Sequence, residues 1–306
     1  MKDKNKYSAS QLLNFAPDSY LERTSRPVYA VLFLLPFIVF YELGTILINT
    51  ELLRDYWQGR VVAFIWLQKF LEYIGFSSKL AWVATPLAVV AILIALQLAS
   101  RKRWRFWLGD FWPMAVECIF LAVPLIVLSL FLNSPAKPQD DVGQFTNGST
   151  QIQIGAVISC SSVENEGLPA PAGNDSGSGP AIKLLADIVT GIGAGIYEEL
   201  VFRLILICVL MALFQSVLRL NHKNSIILSV LVSAALFSAY HHIDFFSGQL
   251  YLKAPFNWTE FGFRTIAGIY FAVLFAIRGF GVTAGTHAFY DIIATIINAA
   301  FFSSIN

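Results

Sequence analysis

The sequence predicts an all-α fold, a polytopic bundle of about seven to eight transmembrane helices. Of its 306 residues, 56% are hydrophobic and 13% are charged, whereas soluble domains carry about 25% charged residues. Apolar stretches close to the roughly 20 residues that a helix needs to cross a bilayer recur along the chain. The net charge of +1 gives no electrostatic basis for binding nucleic acid.

Seven apolar stretches are the predicted spans. In chain order they are Pro27–Asn49, Leu80–Ala99, Phe111–Leu132, Ala181–Leu218, Ser225–His242, Phe263–Ile277 and Gly281–Phe302. The fourth stretch is too long for one straight crossing, and its Gly191–Gly195 run predicts either a break or a close helix contact. Val61–Phe76 is apolar but contains three polar residues, so we interpret it as an interfacial helix or a poor extra span.

Basic residues decide the predicted orientation, because loops rich in Lys and Arg stay on the cytoplasmic side. Such residues are frequent in 1–26 and recur in Arg101–Arg105 and Arg219–Lys223, which follow the second and fourth spans. All three segments lie on one side if the N-terminus is cytoplasmic. We therefore predict a multi-pass protein of the cell membrane, in which a cytoplasmic segment, 1–26, precedes the N-terminal transmembrane helices in 27–132.

Residues 133–180 differ in composition from the spans on either side. They are rich in Pro, Gly, Ser and Asn, which is typical of loops and linkers. Asn147-Gly148 predicts a hairpin turn within them. We expect a polar extracytoplasmic loop insert here, followed by a last group of transmembrane helices in 181–306.

The stretch IYEELVFRLIL, Ile196–Leu206, places three charges inside an apolar segment. Glu199 and Arg203 are four residues apart with the acid first, so we expect them to form an ion pair on one helix face. Glu198 has apolar residues at i+3 and i+4 and finds no partner on its own helix. It therefore needs a partner from another helix or from water, and a carboxylate of this kind is suited to proton transfer.

Other spans supply polar side chains that could complete a site. His241 and His242 end one span, and His287 and Asp291, four residues apart, open the last one. Carboxylates and imidazoles that converge in a bundle can activate water and stabilise an oxyanion. Two alternatives use the same residue types: a zinc ion held by two histidines and a carboxylate, and a proton- or ion-coupled transporter. The HExxH and GxSxG signatures are absent from the sequence.

Three motifs occur in order on separate apolar segments. They are EELVFR at Glu198–Arg203, FSAYH at Phe237–His241 and HAFYD at His287–Asp291. Together they fit EExxxR, FxxxH and HxxxN/D, and they resemble the CAAX-protease and bacteriocin-processing (CPBP) family of intramembrane endopeptidases, which includes the CAAX prenyl endopeptidases. The resemblance covers about residues 182–300. It implies a bundle of about eight transmembrane helices with the active site in an internal cavity, so that 181–306 would be the catalytic helices.

The resemblance also implies roles for single residues. Glu198 resembles the catalytic glutamate, and His241 resembles its partner in activating water. His287 and Asp291 resemble the pair that stabilises the oxyanion, and the ion pair described above resembles a supporting contact. Asp291 stands where the family often has Asn. It would act as a donor when protonated, or it would orient His287 by accepting an N–H.

The resemblance implies a glutamic-type peptidase without a required cofactor, although the family has also been described as metallopeptidases, and zinc stays chemically compatible. The expected partners are the lipid bilayer and a peptide or protein substrate. A prenylated C-terminus, a bacteriocin leader and a membrane-anchored sorting signal are all candidates for that substrate. Leu204 departs from the Gly that often follows the motif arginine. Spacing does not separate His241 from the adjacent His242 as the active imidazole.

Overall fold

The computed structural model describes residues 15–48, 61–132, 180–244, 251–252 and 257–301. The α-helices in these ranges are α1 (Tyr20–Thr24), α2 (Pro27–Ile48), α3 (Val62–Tyr73), α4 (Ser78–Ser100), α5 (Phe111–Leu132), α6 (Pro180–Glu199), α7 (Ile207–Ser216), α8 (His222–His242), α9 (Trp258–Arg278) and α10 (Phe280–Phe301). The predicted insert up to residue 179, with its hairpin, lies outside the described residues, and the proposed domain boundaries stay predictions.

Short elements of other types join some of the helices. A 3-10 turn, Leu108–Asp110, precedes α5, and a π-helix, Leu200–Leu206, connects α6 to α7. After α8, the two-residue strands β1 (Ile243–Asp244) and β2 (Tyr251–Leu252) pair antiparallel. The helices nevertheless make up almost all of the described structure, so the predicted all-α class is confirmed.

The predicted spans are helices in the structure. Six helices are long and apolar enough to cross a membrane, and they are α2, α4, α5 with its preceding turn, α8, α9 and α10. The remaining predicted span, Ala181–Leu218, corresponds to α6, the π-helix and α7. Its helix does not break at Gly191–Gly195 but continues to Glu199, where the π-helix begins. The close-contact alternative for these glycines is therefore the correct one.

Helix α3 has two different faces. It has 12 residues, which is too few to span a bilayer. Phe64 is fully buried, whereas Phe70 and Tyr73 are 58% and 89% exposed. The buried face packs against α4 and α6, so α3 is attached to the bundle along one side.

Helix α10 lies at the centre of the bundle. It packs against α6, α5, α2 and α9. Its most apolar window is 67% buried inside the protein, compared with 22% to 44% for the other five membrane-compatible helices. A helix surrounded in this way can place side chains against several neighbours at once, away from lipid.

Polar contacts join α1 and α5 to the end of α9. Arg278 forms a two-pronged ion pair with Glu117 of α5, at 2.6 and 2.7 Å, and donates to the Thr24 hydroxyl of α1. The Tyr20 hydroxyl donates to the same glutamate at 2.8 Å. Burial, together with this hydrogen bond, raises the pKa of Tyr20 well above its usual range, so its hydroxyl remains a donor.

Candidate active site

Two glycines allow α6 to approach α10 closely. A Cβ atom at Gly191 would lie 2.6 Å from the Asp291 Cβ, and one at Gly195 would lie 2.5 Å from the Ala288 nitrogen. Small residues spaced four apart are typical of close helix contacts in membranes. As numbers rise along α6 they fall along α10, so the helices are antiparallel. One turn beyond Gly195, this register brings the end of α6 to His287.

Glu199 is fully buried and contacts two other functional candidates. Its Oε1 lies 2.8 Å from His287 Nδ1, and its Oε2 lies 3.1 Å from Arg203 Nε. The expected ion pair with Arg203 is therefore present, and the hydrogen bond with His287 is an addition. The guanidinium also lies over the Phe237 ring, with 4.3 Å from Cζ to the centroid. These contacts compensate the charge of Glu199 inside the protein.

Glu198 is turned towards α8. Its Oε1 accepts a hydrogen bond from the Tyr240 hydroxyl at 3.2 Å and lies 4.0 Å from His241 Nε2. The second distance is too long for a direct hydrogen bond but suits contact through one water. The adjacent His242 packs its ring against Phe261, with centroids 6.0 Å apart. The structure thus brings the His241 imidazole next to the Glu198 carboxylate.

The contacts of His241 decide which of its nitrogens carries a proton. Its Nδ1 lies 2.9 Å from the Phe237 carbonyl oxygen. A carbonyl can only accept, so Nδ1 is the donor, and in the neutral ring Nε2 is the unprotonated nitrogen that carries the lone pair. That lone pair belongs to the nitrogen nearer Glu198, so the two side chains offer two proton acceptors to one small volume.

His287 is held on both edges and on one face. Nδ1 contacts Glu199, while Nε2 lies 3.6 Å from Asp291 Oδ2. The ring of Phe271 stacks on the imidazole, with centroids 4.6 Å apart and an interplanar angle of 16°. The predicted pair of His287 and Asp291 is therefore close in space, at a separation longer than a hydrogen bond.

The described residues contain no group of three or more His, Cys, Asp or Glu side chains that could hold a metal ion. Glu199 and Asp291 lie at opposite nitrogens of His287 and so do not face a common point. A zinc site needs at least three protein ligands that converge on one position. These side chains therefore do not meet the ligand requirement of a zinc site.

The π-helix follows directly after the two glutamates. Its turns close hydrogen bonds from i to i+5, and such segments are frequent at functional sites. Ser233 of α8 donates its hydroxyl to the Phe202 carbonyl in this segment, at 2.8 Å. The hydrogen bond ties the part of the chain that contains Arg203 to the helix that carries His241.

Sequence reasoning misses two of these contacts. The motifs do not identify Tyr240. The signal in the sequence is that a tyrosine inside an apolar span needs a hydrogen-bond partner for its hydroxyl. The bond between Glu199 and His287 depends on the register of two helices that are distant in sequence. No local pattern contains this information.

We predict that Gly195→Ala weakens the contact between α6 and α10. The new Cβ would meet the Ala288 backbone at 2.5 Å and the Ala284 carbonyl at 2.9 Å, and backbone atoms cannot move aside separately. Overpacking of this kind costs about 1–3 kcal/mol. We expect a lower melting temperature in detergent. Gly262→Ala is the control, since a Cβ there meets nothing within 4 Å, and equal melting of both variants would contradict the prediction.

A second prediction concerns the anchor of the π-helix. Ser233→Ala removes the donor to the buried Phe202 carbonyl, and leaving a buried polar group unsatisfied costs about 1–3 kcal/mol. Ser229→Ala is a matched control on the same helix, because the Ser229 hydroxyl is buried without a hydrogen-bond partner among the described residues. Thermal unfolding should show a loss for Ser233→Ala alone. A similar loss in both variants would argue against the anchor.

Comparison with known proteins bears on this segment of the chain. A family model described as Type II CAAX prenyl endopeptidase Rce1-like matches residues 180–293. The match contains Glu198–Arg203, Phe237–His241 and His287–Asp291. No match was found among curated proteins, and none was found among solved structures. Together with the six membrane-compatible helices, the match supports a multi-pass membrane protein whose residues 180–293, called the Rce1-like domain below, are similar to the CAAX prenyl endopeptidases of the CPBP family.

Proposed function

We propose that the Rce1-like domain is a glutamic-type intramembrane endopeptidase in which Glu198 and His241 activate the attacking water. One observation carries this proposal: Glu198 Oε1 lies 4.0 Å from Nε2 of His241, while Nδ1 of that ring is bonded to the Phe237 carbonyl. The neighbouring Glu199 is already engaged by Arg203 and His287. Of the two adjacent glutamates, Glu198 is therefore the one with a position suited to proton transfer.

The proposed reaction begins with one water between Glu198 and His241. The water donates one hydrogen to the carboxylate and the other to Nε2 of the imidazole, which orients its oxygen. The oxygen attacks the carbonyl carbon of the peptide bond while Glu198 takes the proton. Glu198 then transfers this proton to the leaving amide nitrogen, and the C–N bond breaks. The carboxylate returns to its ionised form, and the products are an acid and an amine.

The proposed role of His287 is to stabilise the oxyanion. Glu199 holds Nδ1 at 2.8 Å, so the ring is fixed in orientation before substrate binds. A protonated Nε2 then donates to the oxygen that becomes negative in the tetrahedral intermediate. Asp291 Oδ2, 3.6 Å from Nε2, balances the positive charge of the ring. At this separation Asp291 acts in the proposal through its charge, and not by accepting an N–H from Nε2.

The family description supplies the first substrate class to test. A CAAX sequence is a C-terminal Cys, two aliphatic residues and a variable residue, and the Cys carries the prenyl chain. We propose a prenylated, membrane-anchored peptide or protein as the substrate and the cell membrane as the location. An internally quenched farnesylated CAAX peptide, with its non-prenylated form as comparator, is a suitable probe for the purified chain in proteoliposomes.

Glu198→Ala and His241→Ala should each abolish cleavage of the farnesylated probe. Loss of a group that transfers or orients a proton lowers turnover by about 10²–10⁴-fold. His242→Ala is the matched control, because this adjacent buried histidine packs its ring against Phe261 of α9. Initial rates and size-exclusion profiles should be measured for all variants.

Undiminished turnover in folded Glu198→Ala or His241→Ala would contradict the proposal. If His242→Ala loses activity and His241→Ala retains it, then His242 provides the imidazole and the proposed assignment to His241 is wrong. Absence of cleavage by the wild-type chain, with proton flux in the same liposomes, would favour the transport alternative.

We expect cleavage to persist after treatment with 1,10-phenanthroline, because the side chains assigned to the reaction form no converging ligand set. Elemental analysis of the treated protein measures the zinc that remains. Activity lost on chelation and restored by Zn²⁺ would instead identify the zinc-dependent version of the peptidase.

A further inference from the structure

We infer that Tyr240 is a positioning residue for Glu198, and that Trp66 of α3 in turn positions Tyr240. The inference rests on the proposed function, because Glu198 needs accurate positioning only as the group that accepts the proton. It adds one residue from inside the Rce1-like domain and one from outside it. Tyr240 occupies a variable position of the FxxxH motif, and Trp66 lies outside all three motifs.

The Tyr240 hydroxyl and the His241 imidazole address the same oxygen atom. Tyr240 donates to Glu198 Oε1 at 3.2 Å, and His241 Nε2 lies 4.0 Å from that oxygen. A carboxylate oxygen has two lone-pair directions. With one direction used by the hydroxyl, the other is directed to the volume where the water is expected. Without the hydroxyl, the carboxylate can rotate about its terminal torsion, which is broad.

Tyr240 is itself fixed by aromatic packing. Its side chain is 1% exposed. The Trp66 ring meets it edge to face, with centroids 5.0 Å apart at 73°, and Phe202 of the π-helix lies 5.3 Å away. Trp66 also contacts Phe202, at 6.2 Å. The three rings thus pack on one another, and this packing restricts the orientation of the Tyr240 side chain.

Helix α3 is docked at this position by a second ring. Phe64, fully buried, packs edge to face on Tyr197, with centroids 5.0 Å apart at 85°. Tyr197 directly precedes Glu198. Phe64 therefore contacts Tyr197, the residue before Glu198 in sequence. Trp66 contacts Tyr240, whose hydroxyl is bonded to the Glu198 carboxylate. We conclude that α3, which lies outside residues 180–293, forms a wall of the active site.

The kinetic consequence distinguishes positioning from substrate binding. The Tyr240 hydroxyl donates to Glu198, and in this inference it acts on the reaction through that carboxylate. Its loss should lower kcat with little change in KM, since an interaction that serves the transition state is removed. Hydrogen bonds to charged groups correspond to a change of about 10- to 100-fold. A residue that merely supports folding would instead lower the amount of active protein.

The test uses the full chain in proteoliposomes with the internally quenched farnesylated CAAX peptide. Tyr240→Phe keeps the ring and its packing and removes the hydroxyl. We expect kcat to fall about 10- to 100-fold, with KM and the melting temperature nearly unchanged. Tyr29→Phe is the matched control, because that buried hydroxyl also donates to a carboxylate, Asp110 Oδ2 at 2.7 Å, and neither residue is assigned to the site. It should retain the wild-type kcat.

Trp66→Leu tests the second part of the inference. It should lower kcat in the wild-type background and have little further effect in a Tyr240→Phe background, since coupled residues give non-additive changes. Phe70→Leu, at an exposed site one turn further along α3, is the control for loss of an aromatic ring. Fully additive losses of Trp66→Leu and Tyr240→Phe would overturn the role assigned to Trp66.

The outcomes separate this inference from the proposed function. If the wild-type chain cleaves, Glu198→Ala does not, and Tyr240→Phe keeps its kcat, the inference alone is overturned. An equal fall of kcat in Tyr29→Phe, or a fall that matches the loss of folded protein, overturns it as well. If the wild-type chain does not cleave, or Glu198→Ala cleaves normally, the proposed function fails and the inference fails with it.

Discussion

The close antiparallel contact between α6 and α10 is the constraint on which the site depends. Gly191 and Gly195 leave room for Asp291 and the Ala288 backbone, and this proximity determines the register of the two helices. The register brings Glu199 to His287. A wider or shifted contact would separate the carboxylate of one helix from the imidazole of the other. The polar chemistry therefore depends on an apolar feature, the absence of two side chains.

The polar side chains of the site are arranged so that charges compensate one another locally. Arg203 and Glu199 are both almost completely buried, and removing one partner of a buried ion pair costs about 3–5 kcal/mol. The aromatic face of Phe237 below the guanidinium adds to this compensation. In the proposed mechanism Glu199 therefore has a structural role. Glu198, one residue earlier, lies against the Tyr240 hydroxyl and the His241 imidazole of α8, and it is the residue proposed to exchange a proton.

The sequence predicts the local part of this site well. Helical spacing is sufficient to pair Glu199 with Arg203 and to place Asp291 beside His287, because residues four apart share a face. Contacts between helices are not encoded in such spacing. The hydrogen bond from His287 to Glu199 joins residues 88 positions apart, and it follows from helix register. The spacing likewise does not predict the π-helix. The Phe202 carbonyl in this segment accepts a hydrogen bond from Ser233 on another helix.

The limits of the family match are not the limits of the site. Residues 180–293 contain every motif, yet the ring that holds Tyr240 comes from Trp66 in α3. Side chains that react must be of a particular residue type, so they form a motif that a sequence pattern can contain. Aromatic packing around them restricts shape more than identity, and several apolar side chains can supply it. The shape that α3 gives to the proposed site is therefore a feature of the fold that the three motifs do not contain.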